Sequence, residues 1–396
     1  MRPATTARTT SRVAATALVT LLAGVALAAT PAVARPAGQD PLRHQAEAIR
    51  DTGAVGVVAE SATAGGRRHH AAAGLADTAG GRAARPGDVF RIGSSTKTFT
   101  ATVMLQLEAE GLLSLDDTVE SHLPGVVSGN GNDGRAISLR DLLQRTSGLY
   151  DYLNDLPTLT GPEGFEENRL RHFEPRELVD MAMRHESTGE PGTWKYSNTN
   201  YILAGMIIEE TTGRSWQTEV TERIIEPLHL EHTYAPADQP FLPTHHLNGY
   251  SAFHTEGTPL DVTVWNPSAA GAAGAMVSNT EDLTTFYQAL FGGDLLPARQ
   301  LAEMTRTTPA PGTDAPDRSY GLGLYHDTLP CGGGYWSHPG DVVGYATRNG
   351  ISEDGQRIVV VEFTGDGDYR NDTTEQATDA LIRGRLCATE AERWRS

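Results

Sequence analysis

Strand-like segments lie near both ends of this 396-residue chain, and a long stretch with little strand character separates them. Apolar runs bounded by glycine turns predict strands at 55–59, 68–74, 320–325, 335–338, 343–348 and 357–364. Strands from opposite ends of a chain can share one core by pairing in one sheet. We therefore predict an α/β (α+β) fold, in which an antiparallel sheet built from N- and C-terminal strands is flanked by helices and carries an inserted, mainly helical part.

The first 34 residues have the pattern of an export signal. Arg2, Arg8 and Arg12 precede a small, apolar run at 13–29, and Ala-Val-Ala at 32–34 offers a cleavage site. A retained anchor is the alternative, but the run is short and rich in alanine. We expect a secreted, extracellular protein. Its folded domain is predicted at 35–396, with the α/β part at about 40–111 and 276–390 and the helical part at about 112–275.

The charge balance restricts the partners of the chain. The formal net charge is −18, and the basic residues are scattered rather than clustered. Such a surface repels nucleic acid and anionic membranes, so we expect neither as a partner. No histidine-rich spacing supports a metal site, and we predict no metal, no cofactor and a monomeric state.

The chain has two cysteines, Cys331 and Cys387. In an exported protein an even pair usually forms a disulfide. Two buried thiols are the alternative. A bridge would tie the C-terminal segment beside the strand that carries His338.

Ser94 and Lys97 open a run of residues with helical spacing of apolar side chains. One helical turn brings their hydroxyl and amine onto the same face. A desolvated lysine can take the proton of a serine hydroxyl and so make the oxygen nucleophilic. Lys97 is one of only two lysines in the chain, and an arginine could not serve because it does not deprotonate. The alternative is a helix-capping serine followed by a solvated lysine.

Two further stretches carry side chains suited to acyl transfer. Tyr196 and Asn198 are two residues apart, so an extended backbone projects both from one side. A phenol whose pKa is lowered by a nearby lysine could be a general base, and the amide could hold a substrate carbonyl. His338 is followed by Pro339 and Gly340 and resembles the cationic or donating side chain that penicillin-recognising enzymes place beside the nucleophile, with Gly340 letting a substrate backbone come close. The alternatives are a loop tyrosine, a turn asparagine and a strand histidine.

Taken together, the motifs resemble those of the serine β-lactamases and penicillin-binding proteins, whose signature is Ser-x-x-Lys. The segment LLQRTSGL at 142–149 is nearly the L-L-x-H-T-S-G-L of the class C β-lactamase-like group. Similar stretches are SGLYDYLND at 147–155, KYSNTNYILAGMIIE at 195–209 and AAGAMVSNTEDLTTF at 272–286. Within this superfamily the chain most resembles the secreted D-alanyl-D-alanine carboxypeptidases of actinobacterial type, which have a matching disulfide.

The resemblance implies a role for each motif residue. Ser94 would be acylated with Lys97 as its partner, and Tyr196 would relay protons to the leaving amine and activate the deacylating water. Asn198 would orient the substrate amide, and His338 would maintain the electrostatics around Tyr196. The backbone N–H groups of Ser94 and Asp341 would form the oxyanion hole. Phe165 and Trp265 would be pocket walls.

Two positions depart from the family pattern. Related carboxypeptidases commonly bind the terminal carboxylate with a threonine and an arginine where this chain has Asp341 and Tyr325. An acid and a phenol weaken anion binding, although Arg348 could compensate. The leading hypothesis is a D-alanyl-D-alanine carboxypeptidase acting on D-amino-acid peptides, with β-lactams as acylating ligands. The alternatives are a related esterase, D-aminopeptidase or β-lactamase, or a non-catalytic penicillin-binding sensor or scaffold.

Overall fold

The structure is a computed structural model and describes residues 40–63, 65–253, 258–312, 317–365 and 372–388. The described residues belong to one compact unit, Gln39–Ser396. The predicted export signal at 1–34 lies outside the described residues. Within them, no helix has both the length and the apolar character needed to span a membrane.

The strands predicted at the two ends of the chain pair in one antiparallel sheet, which confirms the predicted fold class. Its ten strands run in the order β10-β11-β12-β13-β15-β16-β1-β2-β3, with β14 paired to β15. The N-terminal strand β1 therefore lies directly against the C-terminal strand β16. The strands are β1 (Gly56–Thr63), β2 (Arg68–Asp77), β3 (Arg82–Ala83), β4 (Phe90–Arg91), β5 (Ser128–Gly129), β6 (Asn132–Asp133), β7 (Tyr250–Ser251), β8 (Leu260–Asp261), β9 (Val277–Ser278), β10 (Thr308–Pro309), β11 (Ser319–Tyr320), β12 (Tyr325–Thr328), β13 (Gly334–Ser337), β14 (Gly340–Val342), β15 (Tyr345–Ser352) and β16 (Arg357–Thr364).

The helices mostly follow the predicted positions. Ser138 caps α4 as predicted, because its hydroxyl accepts a hydrogen bond from the Asp141 N–H, and α7 ends at Gly213 in the left-handed conformation. The α-helices are α1 (Pro41–Arg50), α2 (Thr96–Ala109), α3 (Val119–His122), α4 (Leu139–Gln144), α5 (Pro162–Asn168), α6 (Pro175–Met183), α7 (Thr199–Thr212), α8 (Trp216–Val220), α9 (Gly271–Gly274), α10 (Thr280–Gly292), α11 (Ala298–Met304) and α12 (Asp372–Cys387).

Alternate residues of the central strands serve two different cores. Val57 and Ala59 of β1 pack in a cluster with residues of α1 and α12. Their neighbour Val58 faces the other way, into the larger cluster that contains Phe99 of α2 and Phe286 of α10. The side-chain period of two in a strand is the cause of this division. Helix α2 therefore lies deep in the protein, between the sheet and the helical part.

The predicted strands near the C-terminus differ from the observed ones in two places. The segment predicted as one strand at 320–325 is two strands, β11 and β12, joined by a turn at Gly323, where φ is +78°. Similarly, β14 and β15 are separated by a turn at Gly344, where φ is +81°. Gly350 lies inside β15, where a Cβ would come within 2.6 Å of Ile382 in α12. Its small size serves helix packing.

The predicted disulfide is present. Cys331 and Cys387 are bonded with a Cα–Cα distance of 5.8 Å, and the bond joins the β12–β13 turn to the end of α12. The prediction that it ties the C-terminal segment beside the His338 strand is thereby confirmed.

Removing this bridge should lower the free energy of unfolding by about 4 kcal/mol, because the unfolded chain gains the freedom of a long open loop. Urea unfolding of the Cys331→Ser/Cys387→Ser variant beside the wild type measures the difference. Wild type unfolded with a reductant is the matched control and should lose the same amount. Equal midpoints for variant and oxidised wild type would contradict the expectation.

Candidate active site

Ser94, Lys97 and Tyr196 form one hydrogen-bonded cluster. The Ser94 Oγ atom lies 2.9 Å from Lys97 Nζ and 2.8 Å from the Tyr196 hydroxyl oxygen. Ser94 lies in the 3₁₀ turn that leads into α2, Lys97 in the first turn of α2, and Tyr196 in the loop before α7. The structure thus brings three of the predicted catalytic residues together. One hydroxyl faces two groups that can accept or give a proton.

The backbone before Ser94 is tightly packed against β14. Gly93 has φ +50°, and a Cβ there would lie 2.7 Å from the Asp341 backbone nitrogen. The amides of Ser94 and Asp341 therefore belong to segments in direct contact, while their role as oxyanion donors stays a prediction. Gly340 is close-packed as well, since a Cβ there would lie 1.9 Å from the Ile92 carbonyl oxygen, while its contact with a substrate backbone stays a prediction. Its missing side chain admits the protein backbone.

Lys97 is fully buried, and its surroundings favour the neutral amine. Burial, and secondarily the Arg145 guanidinium, lower its pKa well below the ordinary value. Besides Ser94, its ammonium or amine group donates to the Ala273 carbonyl oxygen. A neutral amine in hydrogen-bond contact with a serine hydroxyl can act as a general base.

Tyr196 corrects one expectation from the sequence. The phenol was predicted to have a lowered pKa, but burial raises the pKa of Tyr196 to about 12, although the Arg145 guanidinium acts in the opposite direction. A phenol with such a pKa holds its proton at neutral pH. In the resting site Tyr196 can therefore give a proton more readily than take one.

Asn198 lines the same cavity as Ser94. A hydrogen bond to Asp151, which the sequence analysis did not identify as a site residue, fixes the orientation of its side-chain amide. The Nδ2 group donates to Asp151 Oδ2 at 2.8 Å. Because an ionised carboxylate can only accept, Asp151 takes one N–H of Asn198 Nδ2, which leaves the Oδ1 acceptor and the second N–H for a substrate. The amide thus offers a substrate an acceptor. Asp151 lies inside the SGLYDYLND stretch, which was the available signal for it.

His338 is not the cation of the site. It is fully buried, and burial together with Arg145 lowers its pKa well below the ordinary value. Its Nδ1 atom lies 2.8 Å from the Pro339 carbonyl oxygen, which makes Nδ1 the protonated nitrogen. Its Nε2 atom then accepts from Arg145 Nη2 at 2.9 Å. The predicted cationic or donating side chain is a neutral acceptor that faces Arg145.

Arg145 supplies the positive charge near Tyr196, and sequence reasoning did not assign it a role. It is fully buried, and the centre of its guanidinium lies 3.6 Å from the centroid of the Tyr196 ring. Its Nη1 group donates to the Tyr325 hydroxyl at 3.1 Å. Tyr325 is therefore buried behind His338 and does not line the cavity beside Ser94, in contrast to its predicted role in substrate binding. The arginine in LLQRTSGL, where the similar motif has histidine, was the available signal.

An apolar cavity opens beside Ser94. Phe165 and Trp265 line it, at the positions predicted for pocket walls. Asp341 also lines it, and its side chain is 38% exposed. The other lining residues are mostly apolar: Tyr152, Leu153, Leu156, Thr158, Leu159, Ala269, Ala270, Ala273, Gly274, Val342 and Val343. The cavity suits an uncharged or hydrophobic group.

Arg348 is already bound by acidic side chains. Its Nη2 atom lies 2.9 Å from Asp341 Oδ1, and its Nε group donates to Glu375 Oε2 at 2.9 Å. Two carboxylates surround one guanidinium, so this cluster has a net negative charge. Arg348 is therefore not a free cation for a substrate carboxylate. Within the described ranges, no group of three or more His, Cys, Asp or Glu residues is placed to hold a metal ion.

Comparison with known proteins agrees with this geometry. The β-lactamase family model matches residues 42–382, which is most of the chain. The protein belongs to the β-lactamase family. This is a family of serine acyl hydrolases of the β-lactamase and penicillin-binding type, so the recognition made from the motifs is confirmed. The carboxypeptidase reaction is not decided by membership.

Several relatives show the range of the family. A D-stereospecific amidohydrolase from Streptomyces sp. is 42% identical, with a TM-score of 0.79 over 86% of this chain and 98% of its own. A D-amino acid amidase from Ochrobactrum anthropi SV3, solved with L-phenylalanine amide, is 27% identical, with a TM-score of 0.75 over 86% and 96% of the two chains. Penicillin-binding protein 4* of Bacillus subtilis (strain 168) is 28% identical over 70% of this chain and 61% of its own. The chain thus spans less than two thirds of the curated relatives it matches.

Proposed function

We propose that the protein is a serine amidohydrolase that cleaves D-amino acid amides, or short peptides with an N-terminal D-residue, through an acyl-enzyme on Ser94. One observation carries this choice. The charged side chain lining the cavity beside Ser94 is Asp341, and no lysine or arginine other than the buried Lys97 contacts the Ser94 hydroxyl among the described residues. A substrate carboxylate there would lose hydration and meet a like charge. An amide avoids both costs.

The local charges favour a substrate with a free α-ammonium group. Asp151 accepts a hydrogen bond from Asn198, and both Asn198 and Asp341 line the cavity beside Ser94, so two acids lie in or next to the lining of this cavity. The hydrogen bond to Asp151 uses one N–H of Asn198 Nδ2, so the Oδ1 atom can still accept a hydrogen bond from a substrate N–H. A D-amino acid amide presents an ammonium group close to the carbonyl that is attacked. An N-acylated peptide does not.

The apolar cavity supports a hydrophobic side chain on the acyl residue. Phe165 and Trp265 are aromatic walls of this cavity, and Leu156 and Leu159 add aliphatic surface. Burying an aromatic side chain there releases water from apolar surface on both partners. The names of two relatives support the same class: one is a D-stereospecific amidohydrolase, and the D-amino acid amidase was also solved with D-phenylalanine.

Ser94, Lys97 and Tyr196 can carry out every proton transfer of the proposed reaction. As Ser94 Oγ bonds to the acyl carbon, its proton passes to the neutral Lys97 amine. The C–N bond then breaks, and the leaving nitrogen takes the Tyr196 phenol proton. The phenolate regains a proton from the Lys97 ammonium, which restores both groups. In deacylation the neutral Lys97 amine takes the Tyr196 phenol proton, and the phenolate takes a proton from water as the water oxygen bonds to the acyl carbon. The bond between the acyl carbon and Ser94 Oγ then breaks, Ser94 Oγ takes the proton of the Lys97 ammonium, and the amino acid leaves.

Carboxypeptidase action on D-alanyl-D-alanine peptides is the second candidate, favoured by the relationship to penicillin-binding protein 4*. It uses the same serine and the same acyl-enzyme, so β-lactams remain expected acylating ligands. The contacts of Ser94 with Lys97 and Tyr196 support an enzyme over a non-catalytic sensor. Export and a monomeric state are proposals that rest on the sequence alone.

A substrate panel tests the proposal. We expect kcat/KM for D-phenylalanine amide to exceed that for L-phenylalanine amide and for N-acetyl-D-phenylalanine amide. For D-alanyl-D-alanine peptides, kcat/KM for the methyl ester should exceed that for the free acid by about fivefold, because one like-charge contact costs on the order of 1 kcal/mol. Asp341→Asn should narrow that ratio.

One result of the substrate panel would contradict the proposed amidohydrolase function. Strong preference for the free acid over its methyl ester would mean that another cation reaches the leaving group, and the carboxypeptidase candidate would replace the amidohydrolase. Equal rates for the D- and L-amides would contradict the stereochemical part alone.

A further inference from the structure

Arg145 is an unusual charge for the interior of a protein. It is fully buried, and its Nε group has no hydrogen-bond partner among the described residues. Its side-chain hydrogen bonds there go to the Tyr325 phenol and the neutral His338 ring, and the described chain gives it no salt bridge to a carboxylate. Burying an unpaired guanidinium is costly, so a fold that keeps one must compensate the cost in another way.

Aromatic rings surround the guanidinium. Its central carbon lies 3.6 Å from the Tyr196 ring centroid, 4.5 Å from that of Tyr320 and 5.7 Å from those of Tyr201 and Tyr325. Ring faces attract a cation, and desolvation strengthens the attraction. The shortest of these distances is to the ring whose hydroxyl contacts Ser94 Oγ. The charge is thus fixed directly behind the proposed proton donor.

The backbone holds Arg145 in this place. Arg145 ends α4 in the left-handed conformation with φ +60°, and its carbonyl oxygen accepts from the Lys195 N–H at 2.9 Å. The residue adjacent to Tyr196 is therefore bound to the backbone of Arg145. Motion of one would displace the other, so ring and guanidinium form one unit.

We propose that Arg145 is the positioning residue for Tyr196: it holds the ring against Ser94 and stabilises the negative charge that forms on the phenol oxygen when the leaving nitrogen takes its proton. This inference rests on the proposed hydrolysis. The other charged or titratable groups around Tyr196 are Lys97, Asp151, Tyr152, Tyr201 and Tyr325. Arg145 differs from Lys97 in that it stays charged throughout the cycle, because arginine does not deprotonate.

The ratio of the labelling rates with two reagents tests this role, because a purely structural role of Arg145 would not change that ratio. A leaving nitrogen needs the Tyr196 proton, whereas fluoride and p-nitrophenolate leave as anions. Arg145→Gln should therefore slow labelling of Ser94 by a fluorescent penicillin by roughly 100-fold, the scale of a general-acid contribution, and leave labelling by a fluorophosphonate little changed. For the same reason, Arg145→Gln should lower kcat/KM for D-phenylalanine amide much more than kcat/KM for the p-nitrophenyl ester of D-phenylalanine.

Two further variants complete the test. Tyr325→Phe removes a hydrogen bond of Arg145 but keeps the charge, so the ratio of the two labelling rates should stay at the wild-type value. Arg145→Lys keeps a charge without the planar fork and should give an intermediate ratio. If Arg145→Gln does not fold, as judged by thermal unfolding, Arg145→Lys decides alone.

The outcomes separate the two proposals. Equal slowing of both reagents, or no slowing of either, would overturn the role of Arg145. If the wild type is labelled as expected by both reagents but hydrolyses no D-amino acid amide, the proposed substrate class fails while Arg145 is still tested. If penicillin does not label the wild type, the amide and ester pair provides the same contrast.

Discussion

Ser94→Ala should abolish covalent labelling by β-lactams and fluorophosphonates and remove amide hydrolysis down to background. The reason is that the Ser94 Oγ atom alone lies within hydrogen-bond distance of both Lys97 and Tyr196 among the contacts described. Without this atom there is no oxygen to form the acyl-enzyme. We expect kcat to fall by roughly 10³–10⁶-fold, the scale seen when a serine nucleophile is removed. Intact-mass spectrometry after incubation with the reagent measures the adduct.

Ser197→Ala is the matched control for this experiment. Ser197 is the serine between Tyr196 and Asn198, and its hydroxyl donates to the Tyr150 carbonyl oxygen instead of facing the cavity. Labelling should therefore persist in this variant. An adduct mapped by peptide mass spectrometry to a serine other than Ser94 would refute the assignment.

Local spacing made the nucleophile predictable. Ser94 and Lys97 are three residues apart, and one turn of helix decides their relation whatever surrounds it. The sheet was predictable for a related reason, because nearly continuous apolar runs such as β1 and β16 are typical of strands that are buried on both faces. The exact ends of the strands could not be predicted, since the turns at Gly323 and Gly344 depend on the residues that pack against them.

Charge states could not be read from the sequence, because they depend on distant contacts. His338 is neutral because it is buried and because Arg145, 193 residues earlier in the chain, faces its Nε2 atom. Arg348 is unavailable for a carboxylate because Glu375, on α12, binds it together with Asp341. The raised pKa of Tyr196 has the same origin, since burial depends on the whole fold. Motifs thus located the groups, and tertiary contacts determined what each can do.

The pH dependence of acylation should follow Lys97. Only its neutral form can take the Ser94 proton, so kcat/KM should rise with pH as Lys97 loses its proton and then level off. Burial lowers the pKa of Lys97 well below its ordinary value, and the midpoint of the rise should be displaced in the same direction. Lys97→Arg, which stays protonated, should reduce kcat/KM by roughly 10²–10⁴-fold, the usual contribution of a general base.

The acids near Lys97 provide a test with a definite sign. Asp151 and Asp341 raise its pKa, against the larger lowering by burial and Arg145. Removing one negative charge with Asp151→Asn therefore lowers the pKa of Lys97 further, and the acid limb of the profile should move to lower pH. Ser197→Ala, which changes no charge, should leave the limb in place. A limb that stays fixed in Asp151→Asn, or moves to higher pH, would show that Lys97 is not the base whose titration limits acylation.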